Sequence, residues 1–260
     1  MLPYIGITDF ETPQQVREMS DLFDRLSTEH GGPAGHLMVG VMMSYKTLKG
    51  LPTKWADVWL PKERLAEVFI DEAGTLNTLH YADYAGLTTS EDILKAVTFG
   101  GPHLEAIQLD MPWPSLSLIE TLRRYRSDLA IIVQVGSRAL EMIGNNPRNF
   151  AHRFDPYFDL SVEGVLFDKS MGQGRGMDAE ALLPFVHSAQ RFGPRLNIAI
   201  AGGLGPETMH LAEPILREGT EISLDAQGQL RSSGNSLHPL EWDRASRYLE
   251  AAVIALTKRY

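Results

Sequence analysis

Eight short apolar runs, most of them followed by a stretch with helical spacing, constrain this chain more than any other feature. The clearest is Ala130-Ile131-Ile132-Val133-Gln134-Val135, apolar at nearly every position. Such a strand is buried on both faces, as in a parallel sheet with helices packed outside it. The other runs are Tyr4–Thr8, Leu37–Met42, Thr75–His80, Leu104–Leu109, Gly164–Asp168, Asn197–Ala201 and Glu221–Leu224. Over Pro13–Thr28, Val16, Met19, Leu22, Phe23 and Leu26 recur at helix spacing, with Thr12 as N-cap and Pro13 at the first helical position. Further helices are expected over Ser115–Tyr125, Ala179–Arg191, Pro206–Arg217 and Pro239–Thr257. Regular strand–helix alternation implies a parallel sheet. Eight repeats imply closure into a single-domain (β/α)8 barrel of the TIM type over residues 1–260, a length that suits this fold. An open doubly wound sheet would want G-x-G-x-x-G after the first strand, and Gly6-Ile7-Thr8 does not supply it.

The region from Met43 to Thr75 is too long for an ordinary connection. Pro52, Trp55, Trp59 and Pro61 punctuate it, and Glu63–Phe69 reads as a short helix. An enlarged rim loop, or a lid over a site, is expected there. Net charge is −9 with no long basic run, which argues against nucleic acid as a partner. The absence of cysteine excludes disulfides and thiolate chemistry. No apolar run is long enough to cross a bilayer, and the first residues lack a signal-like pattern, so a cytoplasmic protein is expected.

In a parallel barrel the working side chains lie at the C-terminal strand ends and in the loops beyond them. That rule selects Thr8, Asp9, Ser44, Lys46, His80, Asp110, Gln134, Asp168, Lys169, and Ser223 or Asp225. Asp168 leads, because it ends an apolar strand where desolvation raises a carboxyl pKa and suits it to give a proton. Bracing the following loop is the bland alternative. Asp110 ends its strand likewise, though Pro112 and Pro114 make a turn role equally good. Lys169 reads as a solvated rim lysine first and a Schiff-base amine second. His80 reads as a packing histidine before an acid or base. No metal spacing is present among the histidines, and no cofactor is implied. Trp55, Trp59 and Trp113 are candidates for an aromatic pocket.

Three glycine-bearing turns follow the last three strands. Gly172, Gly174 and Arg175, then Gly202 and Gly203, then Gly228 would let backbone amides approach an anion, with Pro206 starting a helix whose dipole favours negative charge. Tight turns alone would also explain any one of them. Together they point to a small phosphorylated molecule as the partner. A homodimer is compatible with the chain, and oligomeric state is open.

The order of motifs resembles the phosphoribosylanthranilate isomerase family, itself an α/β barrel. Tyr4-Ile5-Gly6-Ile7-Thr8, Ile107-Gln108-Leu109-Asp110, Leu166-Phe167-Asp168 with Gly172-Gln173-Gly174, Ala201-Gly202-Gly203-Leu204-Gly205-Pro206-Glu207 and Ser223-Leu224-Asp225-Ala226-Gln227-Gly228 are similar to five of its landmarks. The resemblance implies an Amadori rearrangement with Asp168 as general acid and a phosphate held by the late glycine loops. The family's first-strand Cys, its base, falls on Ile5, which accepts no proton. Its Arg after the second strand has only Lys46 nearby. The base would then come from elsewhere, from Asp9, His80 or Asp110. An aldolase-type lyase using Lys169, and a barrel that binds a phosphorylated ligand without turnover, are the rival readings.

Overall fold

The computed structural model describes residues 2–31, 35–168, 176–219 and 221–257. The strands are β1 (Tyr4–Thr8), β2 (His36–Ser44), β3 (Thr75–Ala82), β4 (Ala106–Asp110), β5 (Ala130–Gly136), β6 (Gly164–Asp168), β7 (Asn197–Ala201) and β8 (Ile222–Ala226). They are all parallel, neighbour one another in chain order, and close where β8 pairs with β1. The expected (β/α)8 barrel is what forms.

Successive strand residues point to opposite faces, so parity divides the side chains between two cores. Ile5, Ile7, Leu37, Val39, Leu79, Ile107, Val133, Val165 and Ile200 face outward into the shell between strands and helices. Tyr4, Met38, Leu76, Ala106, Ile132, Leu166 and Ala199 fill the barrel interior as a separate plug toward the N-terminal strand ends. The same inward parity, two or four residues further on, belongs to Thr8, His80, Gln108, Asp110, Gln134 and Asp168, and Asp225 shares it through its register with Gly6. The site is built on that upper layer.

The helices are α1 (Pro13–Glu29), α2 (Tyr45–Lys49), α3 (Leu65–Val68), α4 (Ser90–Gly100), α5 (Leu116–Tyr125), α6 (Ser137–Met142), α7 (Pro147–Asp159), α8 (Ala179–Gln190), α9 (Glu213–Leu216) and α10 (Trp242–Thr257). In α1 the Thr12 hydroxyl accepts from Gln15 N–H while the Gln15 side chain accepts from Thr12 N–H, and Val16, Met19, Phe23 and Leu26 are buried on one face. The helix expected over Pro206–Arg217 does not form as one piece. A turn runs from Gly205 to Thr208, a 3-10 segment covers Met209–Ala212, and α9 begins afresh with Pro214 in its first turn. Pro214 has no N–H to give to a preceding turn, so the helix restarts around it. Pro206 consequently starts no helix, and the expected dipole at that point is absent.

Between β2 and β3 the enlarged connection contains α2, a 3-10 turn at Lys62–Arg64 and α3. Ser44 caps α2 through Thr47, and Gly50 ends it in the left-handed conformation at φ 67°. Lys49 pairs with the buried Asp92 of α4 and ties this connection to the barrel wall. Among the described residues no helix is long and apolar enough to cross a membrane.

Candidate active site

A cavity of about 1180 Å³ opens at the C-terminal ends of the strands. Thr8, His80, Gln108, Asp110, Gln134, Asp168 and Asp225 line it from the barrel, so the inward parity of seven strand residues makes one polar floor. Gly202, Gly203 and Gly228 line it from the turns after β7 and β8. Lys46, Lys54, Trp55, Trp59 and Arg138 line its outer part. The two tryptophans stack with ring centroids 4.6 Å apart and planes 7° from parallel, and Lys54 Nζ sits 4.7 Å from the Trp55 ring centre.

Three carboxylates share this floor. Burial raises the Asp110 carboxyl to about 7, and the charge of Asp168 adds to the rise, while the bond from the Tyr84 hydroxyl opposes it. Burial likewise raises Asp225 to about 7, again helped by Asp168 and opposed by Gln108, Thr8 and the Ala226 backbone. Asp168 ends β6 and is in electrostatic reach of both. Carboxyls near neutrality can both give and take protons at ordinary pH, which is what general acid–base chemistry needs.

Burial lowers the His80 imidazole to about 3, so the ring is neutral. The Gln108 amide donates to His80 Nδ1 at 3.2 Å and to Gln134 Oε1 at 3.0 Å. An amide nitrogen only donates, so Nδ1 accepts and the ring proton belongs on Nε2. Among the described residues that Nε2–H has no partner, and neither has the buried Gln108 Oε1. A Cβ at Gly40 would stand 2.9 Å from His80 Nε2 and 2.8 Å from Thr8 Oγ1, so only glycine leaves room for both polar groups.

The remaining sequence candidates fall elsewhere or undescribed. Asp9 is off the cavity wall: it leaves β1 at φ 88° and its carboxylate is gripped by the buried Arg231 at 2.7 Å and by Gln227 at 3.1 Å. Lys169, Gly172, Gly174 and Arg175 lie outside the described residues. Ser223 faces the N-terminal end, donating to Asn197 at 2.8 Å. Ile5 belongs to the outer shell, and the inward position of β1 beside it is Gly6. Trp113 is a core residue whose indole donates to Ala139 O at 2.9 Å, so the aromatic wall consists of Trp55 and Trp59. Gln108 and Tyr84 had not been singled out. Gln108 was detectable by parity, two residues before Asp110 on an inward face. Tyr84 has no such signal, because it lies beyond the end of β3. Among the described residues no group of three His, Asp or Glu is placed to hold a metal ion.

No protein-family model matches the chain, and no curated protein does. Solved barrels do. The chain is similar to QR15, an aldolase, at TM-score 0.51 and 12% identity, covering 86% of this chain and 89% of that one. It is also similar to the carboxyl transferase domain of Rhizobium etli pyruvate carboxylase, at TM-score 0.56 and 11% identity, covering 98% of this chain and 48% of that one. The chain thus spans about half the length of the second structure. Likeness at this level of identity shows the barrel fold alone.

Proposed function

We propose that this protein is an isomerase of phosphorylated sugars or phosphoribosyl compounds, with Asp168 as general acid and chemistry akin to that of the phosphoribosylanthranilate isomerase family. The observation that carries the reading is that Asp168 and the glycines Gly202, Gly203 and Gly228 line one cavity. Gly202 and Gly203 adopt φ 111° and 76°, conformations open to glycine that let an anion come close to the backbone. A phosphate held there anchors one end of a substrate and leaves the carbon skeleton over the carboxylate floor. Lys46, Lys54 and the Trp55–Trp59 stack give the opposite wall a cationic, aromatic character that suits a flat or anionic group at the other end. The rim connection that carries them acts as the lid.

Calorimetry with ribose 5-phosphate against ribose tests the phosphate half of the reading. Turnover of phosphoribosylanthranilate and of pentose 5-phosphates, followed by NMR in deuterated water, tests the reaction. Asp168→Asn is expected to lower turnover by about 10²–10⁴ and to leave ribose 5-phosphate binding in place. Wild-type turnover in that variant, or equal affinity for the two sugars, would overturn the reading.

A further inference from the structure

The first strand offers no proton acceptor to the cavity: its inward residues are Tyr4 in the plug, Gly6 and Thr8. Gly6 is paired in register with Asp225 of β8. A Cβ built on Gly6 would stand 2.5 Å from Asp225 Oδ1 and 3.0 Å from its Cγ, so the Asp225 carboxylate would have to shift to admit it. The Asp225 carboxylate therefore occupies the space that a β1 side chain would otherwise fill. It is only 6% exposed, and what exposure it has is to the cavity. Thr8 Oγ1 approaches it at 3.5 Å. His80 Nε2 is buried without a partner among the described residues and borders the gap at Gly40, as Thr8 Oγ1 does. Asp225, His80 and Gln108 line the same cavity, and His80 Nε2 and Gln108 Oε1 are buried there without a partner among the described residues.

We propose that Asp225, seated in the space vacated by Gly6, is the proton acceptor of the isomerisation, and that His80 Nε2–H holds the substrate oxygen beside it. This rests on the isomerase reading above. In the open-chain substrate the C2–H bond breaks and its proton passes to Asp225. The electron pair forms a C1=C2 double bond, and the C1=O or C1=N pair moves to the heteroatom, which takes the Asp168 proton. Asp225 then returns its proton to C1 while the C2 hydroxyl gives its own to the Asp168 carboxylate, leaving a ketone at C2. Atoms and electrons balance, and no co-reactant is needed. The neutral imidazole stabilises the intermediate by donating to the C2 oxygen.

The groups that bear on Asp225 are Asp168 from β6, Gln108 from β4, Thr8 and Tyr4 from β1, and Tyr248 from α10. Because the charge of Asp168 makes Asp225 hold its proton more tightly, Asp225 ionises most readily while Asp168 is protonated. One acid and one base is the pairing from which the step begins.

The test uses a four-carbon aldonohydroxamate 4-phosphate, whose N–OH and carbonyl stand in for C1 and C2 of the planar pentose enediol, with ribose 5-phosphate as the ground-state comparison. Titration calorimetry at pH 8 in two buffers of different ionisation heat reads affinity and proton uptake together. The expected result is a hydroxamate preference of about 100-fold with uptake of a proton. Asp225→Asn and Gly6→Ala abolish the uptake and most of the preference while ribose 5-phosphate still binds. His80→Gln, which keeps an N–H donor, retains more of the preference than His80→Leu. The preference and uptake surviving in Asp225→Asn would overturn the assignment, as would their loss in Asp110→Asn alone, and either leaves the isomerase reading standing. Failure of both phosphate compounds to bind the wild type would overturn that reading and the assignment with it. Asp225→Asn is isosteric, and thermal melting of each variant separates misfolding from lost chemistry.

Discussion

A carboxyl raised by burial makes the folded chain sensitive to pH in a definite direction. Asp110 and Asp225 are both raised to about 7, whereas in the unfolded chain they ionise near the ordinary carboxylate value. Between about pH 4 and 7 the folded chain binds more protons than the unfolded one, so stability falls as pH rises through that window and levels off above it. Asp225→Asn removes one ionisation. At pH 8 that variant is expected to be more stable than wild type by on the order of 4 kcal/mol, with the gain shrinking toward pH 4.5. Thermal denaturation at the two pH values checks it, and an equal shift at both would show that the carboxyl is not raised. In the proposed isomerisation the same residue trades stability for reactivity, as residues in working sites commonly do.

At the scale of the element, caps and inward parity carry most of the information. The reciprocal Thr12–Gln15 cap starts α1 and satisfies two amides that the helix cannot. Thr12→Ala is expected to cost about 1 kcal/mol by chemical denaturation, with no change in ligand affinity. A change in ribose 5-phosphate binding would mean that the cap reaches the cavity, which lies at other loops. Strand ends were less legible than strand starts. The apolar runs suggested His80 and Leu224 as last residues, but β3 continues to Ala82 and β8 to Ala226. A strand that enters the cavity stops needing apolar side chains before it stops pairing, so an apolar rule ends it early. Asp225 consequently lies inside a strand and not in the turn after it.

Across the whole molecule, Arg231 shows what closure requires. Its guanidinium is 1% exposed, and it donates to Asp9 at 2.7 Å, to His238 O at 2.6 Å and to Gln227 O at 2.8 Å. It thereby fastens the loop after β8 to the end of β1, at the seam where the barrel closes. Arg231→Met strands a buried carboxylate and is expected to cost about 3–5 kcal/mol, with part of the loss recovered by adding Asp9→Asn. Denaturation of the single and double variants measures this, and no recovery in the double variant would show that the pair is not coupled. Asp9 lies one residue beyond β1, out of the inward parity of Thr8, whereas Asp168 is the last residue of β6, so nearness to a strand end alone does not separate a seam residue from a cavity residue.

Eight buried runs, the helices between them and the parallel order followed from local patterning, because periodicity and burial act within a few residues of one another. The places of Asp168, Asp110, His80 and the glycines after β7 and β8 at strand ends and turns, where the cavity opens, were likewise legible. Which carboxylates meet was not, since Asp110, Asp168 and Asp225 come from three different strands, each more than fifty positions from the next. Only the closed barrel set Asp225 against the missing side chain of Gly6, turned Ile5 outward, and gave Asp9 to Arg231. Space left by one strand and filled by another is a property of packing, and no single segment carries it.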